Sequence, residues 1–120
     1  MILRREYTFE SSHILPRHPG RCRNLHGHSY RMIVELAGEI EPGQGMVMDF
    51  VTLDEIVQRT VLARVDHQHL NDFLENPTAE WIVVWIWRAL QPEVPGLQSV
   101  ELFEIEGASC LYRGEHEGRP

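Results

Sequence analysis

An apolar run from Trp81 to Trp87 constrains the fold of this chain more than any other segment. Asn76 can cap a helix and Pro77 fits its first turn, so we predict a helix over residues 78–91. Because this helix is apolar on nearly every side, it must be buried on more than one of them. In a chain of 120 residues, we expect a sheet to cover one side and a partner subunit to cover another.

Segments on both sides of this helix have the patterns of strands. Apolar and polar residues alternate from Ile2 to His13, and residues 29–40 are rich in β-branched and aromatic side chains. Both patterns are typical of strands that pair with each other. Residues 98–107 and 108–113 alternate again around Gly107 and predict a β-hairpin.

Residues 53–65 carry apolar side chains at helical spacing and predict the first helix, with Asp49 or Thr52 as its N-cap. A polar, turn-prone segment, residues 66–72, separates this helix from the second one. The order strand, strand, helix, helix, strand, strand predicts one α+β domain over residues 1–120. We expect an antiparallel, four-stranded sheet with both helices between its second and third strands.

Charge and composition limit the compartment and the partners. The formal net charge is −7, and all 11 residues counted as Lys or Arg are Arg. An acidic balance argues against a broad nucleic-acid surface. The first residues lack the apolar core of a signal peptide, and the apolar run is too short to span a bilayer. We expect a cytoplasmic protein without nucleic-acid or membrane partners, in which Cys22 and Cys110 are free thiols.

Two histidines separated by one glycine form the strongest candidate site. Cys22 precedes His26 by four residues, and Gly27 lies between His26 and His28. In an extended strand the two imidazoles point to the same side, where they form half of a site for a metal such as zinc. His13 can complete a three-histidine site, and its open fourth position favours catalysis over a structural role.

Other residues near this motif leave several roles open. Asp66, His67 and His69 form a competing ligand set, although such a site would normally need further carboxylates. Asp66 and His67 also form a carboxylate–imidazole pair suited to acid–base catalysis, unless Asp66 only caps a turn. Cys22 could be a fourth zinc ligand, a nucleophile, a general base or an inert thiol. A buried Glu104 would need two hydrogen-bond donors, which the edge of a guanidine-like ring offers.

The motifs together resemble those of one known family. They are, in order, His13 with Cys22-x-x-x-His26-Gly27-His28, Asp66-His67-x-x-Leu70-Asn71, Pro77-Thr78-x-Glu80, Glu104, and Cys110-x-Tyr112-Arg113-Gly114. This pattern, from about Glu6 to Glu115, resembles the 6-pyruvoyl-tetrahydropterin synthase family, and within it the bacterial 6-carboxytetrahydropterin synthases of queuosine biosynthesis. The family's tunnelling fold has the order of elements predicted above.

The resemblance implies a zinc-dependent lyase acting on 7,8-dihydroneopterin triphosphate. The products would be 6-carboxy-5,6,7,8-tetrahydropterin, acetaldehyde and triphosphate. It implies subunits arranged in rings, with sites at the seams, and we expect a hexamer built as a dimer of trimers. The implied zinc ligands are His13, His26 and His28, and the implied base is Cys22. Asp66 with His67 would supply a second acid–base group from a neighbouring subunit. The implied pterin contacts are Glu104, Thr78 and Glu80.

Two features lie outside the resemblance. Arg17, Arg21 and Arg23 crowd the loop before the histidines, and Arg binds phosphate in a bidentate way, so Arg23 is a candidate contact for the triphosphate. A solvated basic loop is the alternative. Asp54 stands where relatives often carry Lys, which removes or inverts any contact made by that Lys.

Three other functions compete with this one. The first is 6-pyruvoyl-tetrahydropterin synthesis, which uses the same ligands and base but retains the side-chain carbons. The second is a zinc- or pterin-binding module without activity, although such a module needs no base. The third is a cupin-like metal protein, which would need more strands and no pair of helices.

Overall fold

The computed structural model describes residues 1–119, which fold around a five-stranded sheet. The two long strands, β1 and β2, pair antiparallel along their whole length. The C-terminal hairpin continues the sheet, so the predicted antiparallel sheet of four strands is present. The strands are β1 (Ile2–His13), β2 (His26–Ala37), β3 (Gln68–His69), β4 (Leu97–Ile105) and β5 (Ala108–Tyr112), in the spatial order β3-β1-β2-β4-β5.

The fifth strand makes the sheet mixed and corrects the prediction of four strands. β3 pairs parallel with β1 at Ser11 and Ser12. Its two residues lie in the polar segment that we predicted to be a turn. A strand this short has no alternation to detect, and it forms because the first helix returns the chain to the edge of β1. Strand β2 also begins at His26 rather than at residue 29, so the two histidines belong to it.

The first helical segment runs without a break from Phe50 to Val65, as predicted. It comprises α1 (Phe50–Val57), a π-helical turn (Gln58–Leu62) and α2 (Ala63–Val65). Asp49 is the N-cap, because its carboxylate accepts a hydrogen bond from the Val51 N–H at 2.8 Å. The segment buries a row of apolar side chains against the rest of the core: Leu53, Val57, Val61 and Val65.

The second helix, α3 (Ala79–Leu90), begins one residue later and ends one residue earlier than predicted. Thr78 is the N-cap, and its hydroxyl accepts a hydrogen bond from the Trp81 N–H at 3.3 Å. The prediction that Asn76 caps the helix is therefore wrong. Pro77 disfavours the helical conformation of the residue before it, which keeps Asn76 outside the helix.

The chain covers much of this apolar helix by itself. Ile82, Ile86 and Leu90 are completely buried. The three tryptophans pack on rings from other parts of the chain: Trp85 on Phe73, Trp87 on Tyr112, and Trp81 on His116. The helix therefore does not by itself require a partner subunit, and the predicted oligomer stays a prediction. No helix of residues 1–119 is long and apolar enough to cross a membrane.

Candidate active site

Three histidines meet where β1 ends and β2 begins. The antiparallel register places His13 directly opposite His26, and His28 lies two residues further along the same face. The three side chains offer nitrogen atoms that all lie within 4.8 Å of one another. Gly27 brings the strands close together, because a Cβ atom there would lie 3.1 Å from the Ser11 carbonyl oxygen. The three histidines are therefore positioned to bind a metal ion.

Carbonyl oxygens fix the tautomers of two of these histidines. The Pro77 carbonyl lies 2.8 Å from Nδ1 of His13, and the Asn24 carbonyl lies 2.7 Å from Nδ1 of His26. A carbonyl only accepts hydrogen bonds, so each Nδ1 carries a proton, and in the neutral ring each Nε2 has a free lone pair. These two Nε2 atoms are 2.9 Å apart. Two lone pairs at this distance repel unless a cation lies between them, which is the arrangement of a metal site.

Burial favours the neutral form of two of these histidines, His13 and His28. It lowers the pKa of His13 to about 4, against an opposing effect of the hydrogen bond to Pro77. Burial also lowers the pKa of His28, although the nearby Glu104 carboxylate acts in the other direction. Nε2 of His28 is buried and has no hydrogen-bond partner among residues 1–119. A neutral imidazole with an unpaired, buried nitrogen fits a metal ligand, since ligation requires the unprotonated form.

Sequence reasoning missed the groups that orient the ligands. Pro77 and Asn24 act through backbone carbonyls, for which side-chain identity gives no signal. The Tyr30 hydroxyl lies 3.3 Å from Nδ1 of His13, on the buried face of β2. Asn71 binds both backbone groups of Ile14, each at 2.8 Å, and so fixes the chain just after His13.

Cys22 and Arg23 belong to a short 3-10 turn, Arg21–Arg23, that leads into β2. Cys22 is half-buried and is a free thiol, as is Cys110, so the prediction of free thiols is confirmed. Among residues 1–119, the cluster of metal-ligating atoms contains only the three histidines, and Cys22 is not part of it. Arg23 is exposed, and Arg17 of the same loop forms an ion pair with Glu75 at 3.1 Å.

Asp66 and His67 lie close together and are not part of the histidine cluster. Oδ1 of Asp66 is 3.0 Å from Nδ1 of His67, whose side chain is 78% exposed. The backbone N–H of Glu10 donates to the Asp66 carboxylate, and this is the main reason why the pKa of Asp66 is lowered. His67 has a φ of 57°, a left-handed conformation that is costly for a residue with a side chain.

His67 borders a surface cavity that also reaches one residue of the histidine cluster. Glu10, Ser12, Ser29 and His28 line this cavity together with His67. His67 is therefore outside the cluster but shares a cavity with His28. The alternative ligand set of Asp66, His67 and His69 does not converge among the described residues. His69 instead hydrogen-bonds Ser12, with 2.9 Å between Nδ1 and Oγ.

A second cavity, of about 450 Å³, collects the predicted pterin contacts Thr78 and Glu80 with Cys110. It lies between the start of α3 and strand β5. Glu104 connects this region to the metal cluster, because Oε1 of Glu104 is 3.7 Å from Nε2 of His28. Burial raises the pKa of Cys110 to about 11, and the carboxylates of Glu80 and Glu104 act in the same direction.

Asp54 forms an ion pair with Arg5 of strand β1. Arg5 donates two hydrogen bonds to its carboxylate, at 3.0 and 3.1 Å, and the Tyr7 hydroxyl donates a third at 2.7 Å. These donors hold the pKa of Asp54 below its ordinary value. The acidic residue at this position is therefore matched by a basic partner on β1.

The fold and the histidine cluster define a class: an α+β protein whose mixed sheet carries three histidines positioned to bind a metal ion. A family model described as 6-pyruvoyl tetrahydropterin synthase matches residues 2–115. The chain therefore belongs to the 6-pyruvoyl tetrahydropterin synthase family, and the predicted family, tunnelling fold and enzymatic class are confirmed.

Individual relatives include both branches of the family. A 6-carboxy-5,6,7,8-tetrahydropterin synthase from Synechocystis is 44% identical over 118 residues, covering 92% of each chain. A 6-pyruvoyl tetrahydrobiopterin synthase from Homo sapiens is 33% identical over 107 residues, covering 80% of this chain and 72% of the relative. The structure of 6-pyruvoyl tetrahydropterin synthase from Caenorhabditis elegans superposes with a TM-score of 0.87 at 26% identity, covering 96% of each chain.

Proposed function

We propose that this chain is a zinc-dependent lyase that converts 7,8-dihydroneopterin triphosphate to 6-carboxy-5,6,7,8-tetrahydropterin, acetaldehyde and triphosphate. The observation that carries this proposal is the 44% identity to a 6-carboxytetrahydropterin synthase over 92% of the chain. The same relationship supports a role in queuosine biosynthesis. A cytoplasmic location belongs to the same proposal, supported by the free thiols of Cys22 and Cys110.

Zinc is the metal that suits the donor set best. Three neutral imidazoles with an open fourth position match catalytic zinc sites, and His13, His26 and His28 would hold the ion. When bound, zinc supplies a Lewis acid that makes a ligated hydroxyl and its neighbouring C–H more acidic. Pro77 and Asn24 hold Nδ1 of His13 and of His26, which leaves the Nε2 atoms of both rings to bind the ion.

Proton transfer is assigned to Cys22 and to Asp66 with His67. Cys22 lies in the turn just before the metal ligands and would remove the substrate proton. Asp66 orients the imidazole of His67, which would exchange the second proton. His67 is 78% exposed and is outside the histidine cluster of its own chain, so we propose that it serves the site of a neighbouring subunit.

The assembly proposed here is a hexamer, formed as a dimer of trimers. Within the described residues, β5 has no strand on its outer side, and β3 covers β1 only at Ser11 and Ser12. Exposed strand edges of this kind pair readily with other chains. One hydrophobic core shared by the sheet and both helices supports a single domain over residues 1–120.

Substrate contacts complete the proposal. Glu104, placed beside His28, would accept hydrogen bonds from the pterin N–H edge. Thr78 and Glu80 line the neighbouring cavity and would contact the ring. Arg23, exposed in the loop before the ligands, would contact the triphosphate. If Arg23→Ala leaves the KM unchanged, that last contact is removed from the proposal.

Product analysis by mass spectrometry tests the proposal. Zinc-loaded protein is incubated with 7,8-dihydroneopterin triphosphate, next to a Cys22→Ala control. We expect carboxytetrahydropterin and acetaldehyde from the first sample and neither from the second. A pyruvoyl product would instead support the second candidate, which the 33% identity to the human enzyme favours. No turnover with zinc bound would leave a binding module without activity.

A further inference from the structure

Asn76 has a buried side-chain oxygen, Oδ1, that makes no hydrogen bond with the described residues. Oδ1 of Asn76 is shielded from solvent and has no hydrogen-bond partner among residues 1–119. The Asn-Pro sequence indicates a capping role, but Thr78 takes that role and leaves the Asn76 side chain unengaged. Buried polar groups are nearly always paired in folded proteins, so this unpaired oxygen is available to a group that the described residues do not supply.

A second asparagine five residues earlier shows what a structural role looks like in this segment. The Asn71 amide donates to the Ile14 carbonyl and accepts from the Ile14 N–H, each at 2.8 Å. Both of its polar atoms are therefore satisfied inside the chain. Asn76 has the same amide and lacks that pairing, so fold stability gives no reason for its presence.

The surroundings of Asn76 belong to the site. It lines the cavity of about 450 Å³ together with Thr78, Glu80 and Cys110. The next residue, Pro77, holds the metal ligand His13 through its carbonyl. A molecule in this cavity therefore contacts Asn76, the residue next to the one that orients His13.

The cavity combines flat apolar walls with hydrogen-bond acceptors. Trp81 and Tyr112 supply aromatic surface, and the carboxylate of Glu80 and the amide oxygen of Asn76 supply acceptors. The Cys110 thiol stays protonated, because burial raises its pKa to about 11. Aromatic walls with converging acceptors suit a flat heterocycle that carries several N–H donors.

We propose that Asn76 determines specificity for the pterin ring, by accepting a hydrogen bond at Oδ1 from a ring N–H or amino group. This inference rests on the proposed function, which supplies a pterin as the occupant of the cavity. A site built to accept such a hydrogen bond disfavours ligands that lack the donor, because the buried oxygen then stays unpaired.

Calorimetric titration of the zinc-loaded protein tests this with two probes, 7,8-dihydroneopterin and fully oxidised neopterin. The wild type is compared with Asn76→Ala and with Asn76→Leu, which fills a similar volume without polar atoms. We expect both variants to bind at least one probe about tenfold more weakly or worse, as for the loss of one buried hydrogen bond. A loss confined to the dihydro compound assigns the donor to N8–H, which oxidised neopterin lacks; a loss for both probes assigns it to N3–H or the 2-amino group.

Thermal unfolding of the same variants, without ligand, separates this role from a structural one. Because Oδ1 of Asn76 has no partner in the fold, the Tm of Asn76→Leu should equal or exceed that of the wild type. The matched control, Asn71→Ala, should lower the Tm, since it leaves both backbone groups of Ile14 unpaired. Unchanged affinities in the Asn76 variants, or a lowered Tm in Asn76→Leu, would overturn the inference while leaving the proposed function intact. If the wild type binds neither probe, the proposed function and this inference fall together.

Discussion

Two regions near the end of β1 hold their polar groups in different ways. In the core, the chain buries His13 completely and fixes its ring with a carbonyl. Next to β1, the His67 imidazole is 78% exposed, contacts the Asp66 carboxylate and has a costly φ. The three histidines therefore converge within one chain, whereas His67 stays accessible, as the proposed role in a neighbouring subunit's site requires.

The largest effect should come from removing one ligand of the buried histidine cluster. His26→Ala removes one of three ligands, and we expect no detectable turnover together with loss of bound zinc, measured by mass spectrometry of the metal content. His18→Ala is the matched control, because His18 lies in an exposed loop and accepts only from the Gly20 N–H. Full zinc content in His26→Ala would contradict the assignment of the cluster.

Cys22→Ala should separate proton transfer from metal binding. We expect kcat to fall by about 10²–10⁴-fold, the usual size of general acid–base catalysis, with the zinc content unchanged. The zinc content should persist because Cys22 is outside the histidine cluster. Loss of zinc in this variant would make Cys22 a fourth ligand instead of a base.

Mixing two inactive variants tests whether His67 serves the site of a neighbouring subunit. His67→Ala alone should lose about 10²-fold or more in kcat. When His67→Ala and His26→Ala subunits are unfolded and refolded together, some seams pair an intact histidine cluster with an intact His67, so part of the activity should return. A mixture that stays as inactive as its components would place both groups in one subunit's site.

The burial of His13 should make metal-free protein less stable in weak acid. The pKa of His13 is about 4 when folded and ordinarily near 6.5. Between these values the unfolded chain binds a proton that the folded chain does not, so the free energy of unfolding falls as the pH drops from about 6.5 to 4, by roughly 2–3 kcal/mol. Urea titrations with a chelator at both ends of this range measure it. His13→Gln should lose this part of the pH dependence; an unchanged slope would show that His13 is not its source.

The smallest effect should come from the ion pair between Arg5 and Asp54, which belongs neither to the histidine cluster nor to the Asp66–His67 pair. Asp54→Lys restores the residue type common in relatives but places a cation against Arg5. We expect the Tm to fall by roughly 2–4 °C, with zinc content and turnover unchanged, because the pair is partly exposed. A loss of activity in this variant would connect Asp54 to the site, and Asp54→Asn, which retains hydrogen-bond acceptors, serves as the control.

The sequence by itself determined the strands and helices in which apolar side chains recur at a regular spacing. Alternation fixed β1 at Ile2–His13 and placed His26 and His28 on one side, because successive strand residues point to opposite faces. Helical spacing fixed the first helix to Val65, and motif order gave the family.

Only the tertiary structure decided what depends on pairing between distant segments. The register of β1 on β2 brought His13 opposite His26, and the Pro77 carbonyl fixed its tautomer. Thr78 displaced Asn76 as the cap, and two residues of a polar turn became β3 because β1 offered them an edge. Local sequence patterns reflect the conformational preferences of neighbouring residues. The contacts named above join groups that are far apart in the chain, so their geometry exists only once the sheet has formed.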